Sequence, residues 1–219
     1  SCFAISAGLE CMIDHISRSF LQQDSYFILP IPNFSVFESF SLRTGARPLY
    51  LHLDKDQGFQ WTEQTVEKML GLINKKQPAL VWISNPVNPT GQDLPLSWIK
   101  EMTEQAQMTN TAIVVDEAYG EYTDPDYGRQ GAFSLIPSYP NLMVLRTFSK
   151  IHALPSIRVG YMMCSEPEII SAVKLYRPMF PFSWFSLFVA QTAVVDEEQP
   201  IKARQKTKKR KRALFRRLD

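Results

Sequence analysis

The chain has 219 residues and a mass of 25.2 kDa, with 45% hydrophobic and 21% charged residues. These proportions are typical of a folded globular protein, and they exclude a disordered or collagen-like chain. No apolar run approaches the roughly 20 residues that a membrane-spanning helix requires. Three widely spaced cysteines, Cys2, Cys11 and Cys164, indicate neither a disulfide framework nor a metal site, so a reducing cytoplasmic location is expected.

The net charge of +2 conceals a strongly basic C-terminal segment. From Ile201 onward the chain carries ten Lys and Arg residues and one acid, whereas the first 200 residues carry 14 basic and 21 acidic residues. Phe215 is the only aromatic residue of this segment, so it lacks the interleaved aromatic side chains that stack on nucleic-acid bases. The segment is therefore predicted to be a solvated helix, and nucleic-acid binding is not expected.

Short apolar runs alternate along the chain with segments of helical spacing. Near the start, an apolar run precedes Gly8, and a helical repeat of apolar residues follows, which predicts a strand, a glycine turn and a helix. Pro30 and Pro32 are expected to end the second strand, and Thr62 to cap a helix. In chain order the pattern predicts strands at 2–5, 26–29, 48–53, 79–83, 112–115, 142–146 and 159–163, and helices at 9–21, 34–42, 63–74, 96–108, 167–176 and 184–195.

This alternation predicts a three-layer α/β/α fold around a mostly parallel sheet. In such sheets ligands bind beyond the carboxyl ends of the strands. Polar residues follow several of the predicted strands: Asn88, Asp116, Tyr119 and Lys150, with Arg158 preceding the last strand. We therefore expect these five side chains to converge at one edge of the sheet.

Three ordered segments carry a family resemblance. NPVNPTG at 85–91, VVDEAY at 114–119 and TFSKIHALPSIRVGY at 147–161 resemble the NPNNPTG, D-E-A-Y and S-K-x(3)-L-x(3)-R-x-G-Y motifs of class I/II aminotransferases. These are fold-type I enzymes that depend on pyridoxal 5′-phosphate (PLP), and histidinol-phosphate aminotransferases are the nearest group. Three motifs in the correct order are far more specific than any one of them.

The resemblance implies a role for each matching residue around the cofactor ring. Lys150 resembles the lysine that forms a Schiff base with PLP and moves the proton during catalysis. Asp116 matches the carboxylate that keeps the pyridine nitrogen protonated. Asn88 and Tyr119 match the hydrogen-bond partners of the ring 3-oxygen, and Phe34 matches the aromatic residue that stacks on the ring.

The resemblance also implies a phosphate-binding group. Arg158 offers a guanidinium fork, and Thr147 and Ser149 offer hydroxyl groups. The turn at Gly8 and Leu9 adds backbone N–H groups at a helix N-terminus. Leu9 stands where the family often has Ser, Thr or Asp, so it contributes no hydroxyl to the phosphate.

The implied function is an aminotransferase that moves an amino group between an amino acid, with histidinol phosphate as a candidate substrate, and a 2-oxo acid. The family relationship implies a homodimer that binds no membrane. Residues 1–195 are expected to form the PLP-binding large domain, and 196–219 a basic helix that leads toward a C-terminal small domain. The sequence is interpreted as a fragment that lacks this small domain and an N-terminal arm.

Two alternative functions remain open from the sequence. A decarboxylase of the threonine-phosphate type would use the same cofactor site, because the bond that breaks is the one held perpendicular to the ring. A non-catalytic regulatory module that binds PLP as an effector is the second alternative. Glu117, beside Asp116, is interpreted as a structural residue in either case.

Overall fold

A seven-stranded sheet organises the computed structural model, which describes residues 3–123 and 131–218. The strands are β1 (Phe3–Ser6), β2 (Tyr26–Ile31), β3 (Arg47–His52), β4 (Leu80–Ser84), β5 (Ala112–Asp116), β6 (Leu142–Thr147) and β7 (Gly160–Met163). Their order in the sheet is β1-β7-β6-β5-β4-β2-β3, and β7 runs in the direction opposite to the other six. The predicted, mostly parallel sheet is confirmed; Cys2 lies outside the described residues.

Helices cover both faces of this sheet. The helices are α1 (Gly8–Phe20), α2 (Ser35–Leu42), α3 (Glu63–Lys76), α4 (Leu96–Gln107), α5 (Pro167–Leu175), α6 (Trp184–Val194) and α7 (Glu198–Leu218). The amphipathic helices α1, α2 and α5 contribute to one hydrophobic core, and α3 and α4 contribute to a second core on the opposite face.

Successive residues of the central strands enter different cores. Phe27 of β2 belongs to the α1 side and Ile28 to the α3 side, and Trp82 and Ile83 of β4 divide in the same way. Every residue of β4 and β5 is buried. This explains why these strands are continuous apolar runs, since a parallel sheet covered on both faces has no solvent side.

The predicted end of β2 at Leu29 is wrong, because the strand continues through Pro30 to Ile31. Both residues remain paired with β3, whereas the pairing with β4 is confined to Phe27 and Ile28. Proline has no backbone N–H, so it interrupts a central strand, whose residues donate hydrogen bonds to neighbouring strands on both sides. Here Pro30 lies beyond the β4 ladder, and its missing donor leaves no bond of that ladder unmade.

The polar turn before α3 shows how local chemistry fixes a helix boundary. The Thr62 hydroxyl accepts a hydrogen bond from the Thr65 amide at 3.3 Å, as an N-cap does. The helix ends at Lys76, and Gln77 directly after it adopts the left-handed conformation with φ 45°; Lys75 and Lys76 lie in the last turn. The capped start was predicted, and the helix extends two residues beyond the predicted end.

The two C-terminal helices are far more exposed than the rest of the fold. Ala190 is the one buried residue of α6, and α7 has none. Helix α7 contacts the short 3₁₀ helix at Gly120–Tyr122 through Arg204, whose Nη1 donates to the carbonyl oxygen of Glu121 at 3.2 Å. Within the described residues, none of the helices has both the length and the apolar character needed to span a membrane.

Candidate functional site

Strand register brings the predicted site residues to one edge of the sheet. Ser84 at the end of β4 is aligned with Asp116 at the end of β5. Thr147 at the end of β6 is aligned with Gly160 of β7, which is aligned in turn with Ser6 at the end of β1. The carboxyl ends of four strands therefore meet here, where parallel α/β sheets bind ligands.

The Asp116 carboxyl group is buried at the centre of this edge. Its Oδ1 accepts a hydrogen bond from the Ala118 amide at 2.9 Å. Burial raises the pKa of Asp116 to about 7, opposed by the hydrogen bond from Ala118 and by the positive charge of Lys150. A buried carboxyl group with this pKa favours a cationic partner, which would return it to its ionised form.

Tyr119 and Lys150 lie next to each other beside Asp116. The Nζ atom of Lys150 is 5.0 Å from the centre of the Tyr119 ring, and both side chains are partly buried. The Tyr122 hydroxyl donates to the Lys150 carbonyl oxygen at 3.2 Å, which fixes the turn that carries the lysine. Sequence reasoning missed Tyr122, since an aromatic residue three positions after Tyr119 has no distinctive signal.

A polar junction holds the loop that contains Asn88. The backbone N–H of Asn88 donates to the Ser84 hydroxyl at 3.1 Å, and that hydroxyl donates to Asn33 Oδ1 at 3.1 Å. The Asn33 oxygen also accepts from the Phe34 amide at 2.7 Å. The loop after β4 and the start of α2 are therefore tied together, which puts Asn88 and Phe34 on the same side of the edge.

Gly8 and Arg158 meet at the other end of the edge. Gly8 has φ +79°, and a Cβ atom at this position would lie 2.8 Å from Cζ of Arg158. A Cβ at Gly160 would lie 3.0 Å from the Leu9 amide nitrogen. Both glycines therefore permit a close approach that no side chain allows. Arg158 is exposed and itself has a positive φ of 50°.

The turn after β6 presents two hydroxyl groups beside this helix start. The Thr147 hydroxyl accepts from the Ser149 amide at 3.1 Å and lies 3.1 Å from the Ser149 hydroxyl. Thr147 is buried and Ser149 partly buried. Together with Arg158 and the N-terminus of α1, these groups form a set of hydrogen-bond donors of the kind that binds an anion.

A buried ion pair that the sequence did not reveal lies behind Asp116. Glu117 is fully buried, and its Oε2 accepts from Nε and Nη2 of Arg146 at 3.0 and 2.8 Å. Its Oε1 accepts from the Ala132 amide at 2.6 Å. The structural role predicted for Glu117 is therefore confirmed. Arg146 was missed because it reads as an ordinary strand residue, and strand pairing alone brings it beside Glu117.

The predicted residues fall into two groups along the edge. One group, Asn88, Asp116, Tyr119 and Lys150, surrounds the ends of β4 and β5; the other, Gly8, Leu9, Thr147, Ser149 and Arg158, surrounds the start of α1. Phe34 is exposed, and its ring lies 5.7 Å from that of Phe37 in an edge-on contact. Among residues 3–123 and 131–218, no group of three His, Cys, Asp or Glu residues could hold a metal ion.

Comparison with known proteins gives this edge a family context. The family model described as aminotransferase class I and II matches residues 4–219. Over 195 residues the chain is 31% identical to a histidinol-phosphate aminotransferase of Ruminiclostridium cellulolyticum, covering 89% of this chain and 51% of that protein. The chain thus spans about half the length of the curated relatives it matches.

Solved structures share the fold. The histidinol-phosphate aminotransferase from Clostridium acetobutylicum has a TM-score of 0.84 and 21% identity, with 98% of this chain and 60% of that chain covered. The histidinol-phosphate aminotransferase from Sinorhizobium meliloti, solved in complex with pyridoxal-5′-phosphate, has a TM-score of 0.82 and 23% identity, with 93% and 53% covered.

Proposed function

The chain belongs to the class I and II aminotransferase family, and from this premise we propose that it forms the cofactor-binding part of a PLP-dependent aminotransferase. The protein would transfer an amino group between an amino acid and a 2-oxo acid. Histidinol phosphate is the proposed amino donor, because the relatives that match most of the chain carry that activity in their names.

One observation carries this proposal. A buried carboxyl group, an aromatic hydroxyl and a lysine amine lie together at the sheet edge in Asp116, Tyr119 and Lys150. Across the same edge, the Arg158 guanidinium lies against the turn at Gly8, in the space that a Cβ atom would occupy. This arrangement fits a ring with a protonated nitrogen at one end and a phosphate at the other, which are the two recognisable ends of PLP.

The phosphate end would be held by the second group of residues. Arg158 would supply a charged guanidinium fork, Thr147 and Ser149 their hydroxyl groups, and the Gly8–Leu9 turn its backbone N–H groups. Leu9 contributes only its backbone, because its side chain packs toward Gly160. No carboxylate belongs to this set, so its charge complements a dianion.

The ring end would be held by the first group. Asp116 would keep the ring nitrogen protonated, Asn88 and Tyr119 would bond the ring 3-oxygen, and Phe34 would cover the ring face. When bound, PLP supplies an electron sink for the substrate bond that breaks. Lys150 would anchor the cofactor's aldehyde carbon through its amine and then carry the proton at the reacting carbon.

The experiment that tests this proposal locates the cofactor directly. The full-length protein is incubated with PLP, reduced with borohydride and mapped by peptide mass spectrometry. We expect a single reduced adduct on Lys150, with none in Lys150→Ala. An adduct spread over exposed lysines, and unchanged in Lys150→Ala, would contradict the proposal. Keto-acid formation against carbon dioxide release then separates transamination from decarboxylation.

We further propose that the protein acts in the cytoplasm as a homodimer. Several large apolar residues on and before α6 are exposed: Leu175, Met179, Phe180, Trp184 and Phe185. Exposed large apolar side chains that cluster in one part of the chain are typical of interaction surfaces, and we propose that these contribute to the subunit interface. The described cysteines, Cys11 and Cys164, are free, which suits a reducing compartment. The division into a large domain at 1–195 and a basic helix at 196–219 is part of the same proposal.

A further inference from the structure

The short 3₁₀ helix at Gly120–Tyr122 lies between α7 and the turn that carries Lys150. On the α7 side, Arg204 Nη1 donates to the carbonyl oxygen of Glu121 at 3.2 Å. On the other side, the Tyr122 hydroxyl donates to the carbonyl oxygen of Lys150 at 3.2 Å. Two successive residues of one short helix therefore contact a distant helix and the turn of the proposed reactive lysine.

The backbone of the 3₁₀ helix is tied to the segment that carries the ring-binding residues. The N–H of Gly120 donates to the Glu117 carbonyl oxygen at 3.0 Å, and the N–H of Tyr122 donates to the Tyr119 carbonyl oxygen at 3.0 Å. These two turns make one compact segment. Because rigid segments carry a displacement from one contact to another, a shift at Glu121 would reach both Tyr119 and Tyr122.

Two guanidinium groups act on the Glu121 carboxylate. Arg146 Nη1 lies 4.0 Å from Glu121 Oε1, and the same arginine binds the buried Glu117. Burial raises the pKa of Glu121, opposed by the positive charges of Arg146 and Arg204. Two carboxylates and two guanidinium groups therefore balance one another here. Removal of Arg204 would leave Arg146 alone to compensate both carboxylates, which weakens the hold on the 3₁₀ helix.

The Lys150 turn depends on the carbonyl oxygen that Tyr122 contacts. The N–H of Ala153 donates to this oxygen at 2.9 Å, and the N–H of Leu154 donates to the Phe148 carbonyl oxygen at 3.1 Å. Ala153 has a positive φ of 55°, which is an unfavourable conformation for a residue with a Cβ atom. The hydrogen bond from Tyr122 therefore supports a strained turn, and its loss should let the turn open more often.

We propose that Arg204 and Tyr122 are positioning residues that act through the 3₁₀ helix on the Lys150 turn, so that the placement of α7 sets the affinity for the cofactor. The inference rests on the proposed function, in which Lys150 anchors the cofactor and Tyr119 bonds its ring oxygen. Both residues act through main-chain oxygens. Arg204 acts on the carbonyl oxygen of Glu121, and Tyr122 acts on that of Lys150.

The first test measures hydrogen exchange of the peptide 148–154 in the cofactor-free, full-length protein by mass spectrometry. The variants are Arg204→Gln, Tyr122→Phe and the two combined. The control is Arg210→Gln, which removes the same charge from an exposed position of α7. We expect each single variant to raise the exchange rate of this peptide about fivefold, and the control less than about twofold. The combined variant should match Tyr122→Phe, because both changes interrupt one chain of contacts.

Peptides from β4 and β5 distinguish local opening of the turn from general destabilisation. Every residue of these strands is buried, and their exchange should keep its native rate in all variants. Equal acceleration in these strands, or an unchanged rate at 148–154 in Arg204→Gln, would overturn the inference. An increase of about 25-fold in the combined variant would also overturn it, since that is the product of two independent effects.

The second test measures the dissociation constant for PLP by equilibrium dialysis. We expect Arg204→Gln to raise this constant about fivefold and Arg210→Gln less than about twofold, and unchanged affinity in Arg204→Gln would overturn the positioning role. Borohydride mapping separates the two proposals. A reduced adduct on Lys150, with native exchange in Arg204→Gln, would overturn this inference alone. Absence of that adduct in the native protein would overturn the proposed function and, with it, the link from α7 to cofactor affinity.

Discussion

The sheet edge and the two C-terminal helices use apolar residues in opposite ways. In β4 and β5 every residue is buried, and the strand ends hold polar groups in defined hydrogen bonds. Helix α6 is rich in apolar residues, yet Trp184, Phe185 and Phe188 are all more than half exposed. The difference shows that apolar content predicts burial only where the fold supplies a second surface, because a side chain leaves water only against a partner.

Two tryptophans give the sharpest form of this comparison. Trp82 is fully buried, is stacked on Phe37 at 4.8 Å and donates to the Ser41 hydroxyl at 3.0 Å, whereas Trp184 is 78% exposed. Trp82→Ala should lower the free energy of unfolding by about 3–5 kcal/mol. Trp184→Ala should instead raise the dissociation constant of the proposed homodimer. Urea denaturation measures the first effect and analytical ultracentrifugation the second. Equal losses of unfolding free energy in the two variants would contradict the contrast between a buried and an exposed tryptophan.

The two regions also differ in their ion pairs. Glu117→Gln removes the closer of two carboxylates that pair with the buried Arg146 and leaves Glu121 at 4.0 Å, so we expect a loss of about 3 kcal/mol in unfolding free energy. Glu198→Gln removes the exposed partner of Lys202 in α7, and solvent screening should leave stability unchanged. Chemical denaturation of both variants checks this contrast. A comparable loss in Glu198→Gln would mean that α7 is held far more firmly than its exposure indicates.

The pH dependence of stability sharpens the description of the sheet edge. Without cofactor, the folded-state pKa of Asp116, about 7, lies above its ordinary value of 3.8. The folded state therefore binds the proton more tightly than the unfolded chain, and this contribution to stability is lost as pH rises from about 4 to 7. Between pH 5 and 8 the loss should be about 3 kcal/mol.

Asp116→Asn is the matched variant for this prediction. Its side chain does not titrate, so its loss of unfolding free energy between pH 5 and 8 should be smaller than that of the native protein. Denaturation of the cofactor-free proteins at both pH values gives the comparison, and titration of other groups cancels in the difference. Identical pH profiles would show that Asp116 is ionised in the folded state throughout this range.

The smallest expected effect concerns the glycine turn at the start of α1. Gly8→Ala places a Cβ against the Arg158 guanidinium at a φ of +79°, so Arg158 must move away from the proposed phosphate position. We expect the dissociation constant for PLP to rise about tenfold. Gly71→Ala in α3 is the control, because a Cβ there meets nothing within 4 Å. Equilibrium dialysis with PLP measures the affinity of both variants. Unchanged affinity in Gly8→Ala would show that the Gly8 turn is not part of the cofactor site.

Many of the strands and helices could be predicted from the sequence, because burial on both faces of the sheet requires continuous apolar runs and burial of one helix face requires apolar residues at helical spacing. Continuous apolar runs identified β4 and β5, and helical spacing identified α1, while Thr62 identified the start of α3. The prediction failed at Pro30, where the outcome depended on which neighbour lay alongside that residue. A proline in the sequence shows that a backbone N–H donor is missing, but it does not show whether a neighbouring strand would accept a hydrogen bond at that position.

By itself the sequence determined the fold class and contained the family motifs, since both depend on residue type and short-range spacing, and the resemblance of those motifs named the residues proposed to hold a cofactor. Only the tertiary structure decided that β7 is antiparallel, that Arg146 pairs with Glu117 and that Arg204 of α7 contacts the 3₁₀ helix at Gly120–Tyr122. These features join residues separated by tens of positions. Their contacts follow from strand order and helix packing, which leave no periodic signal in the chain.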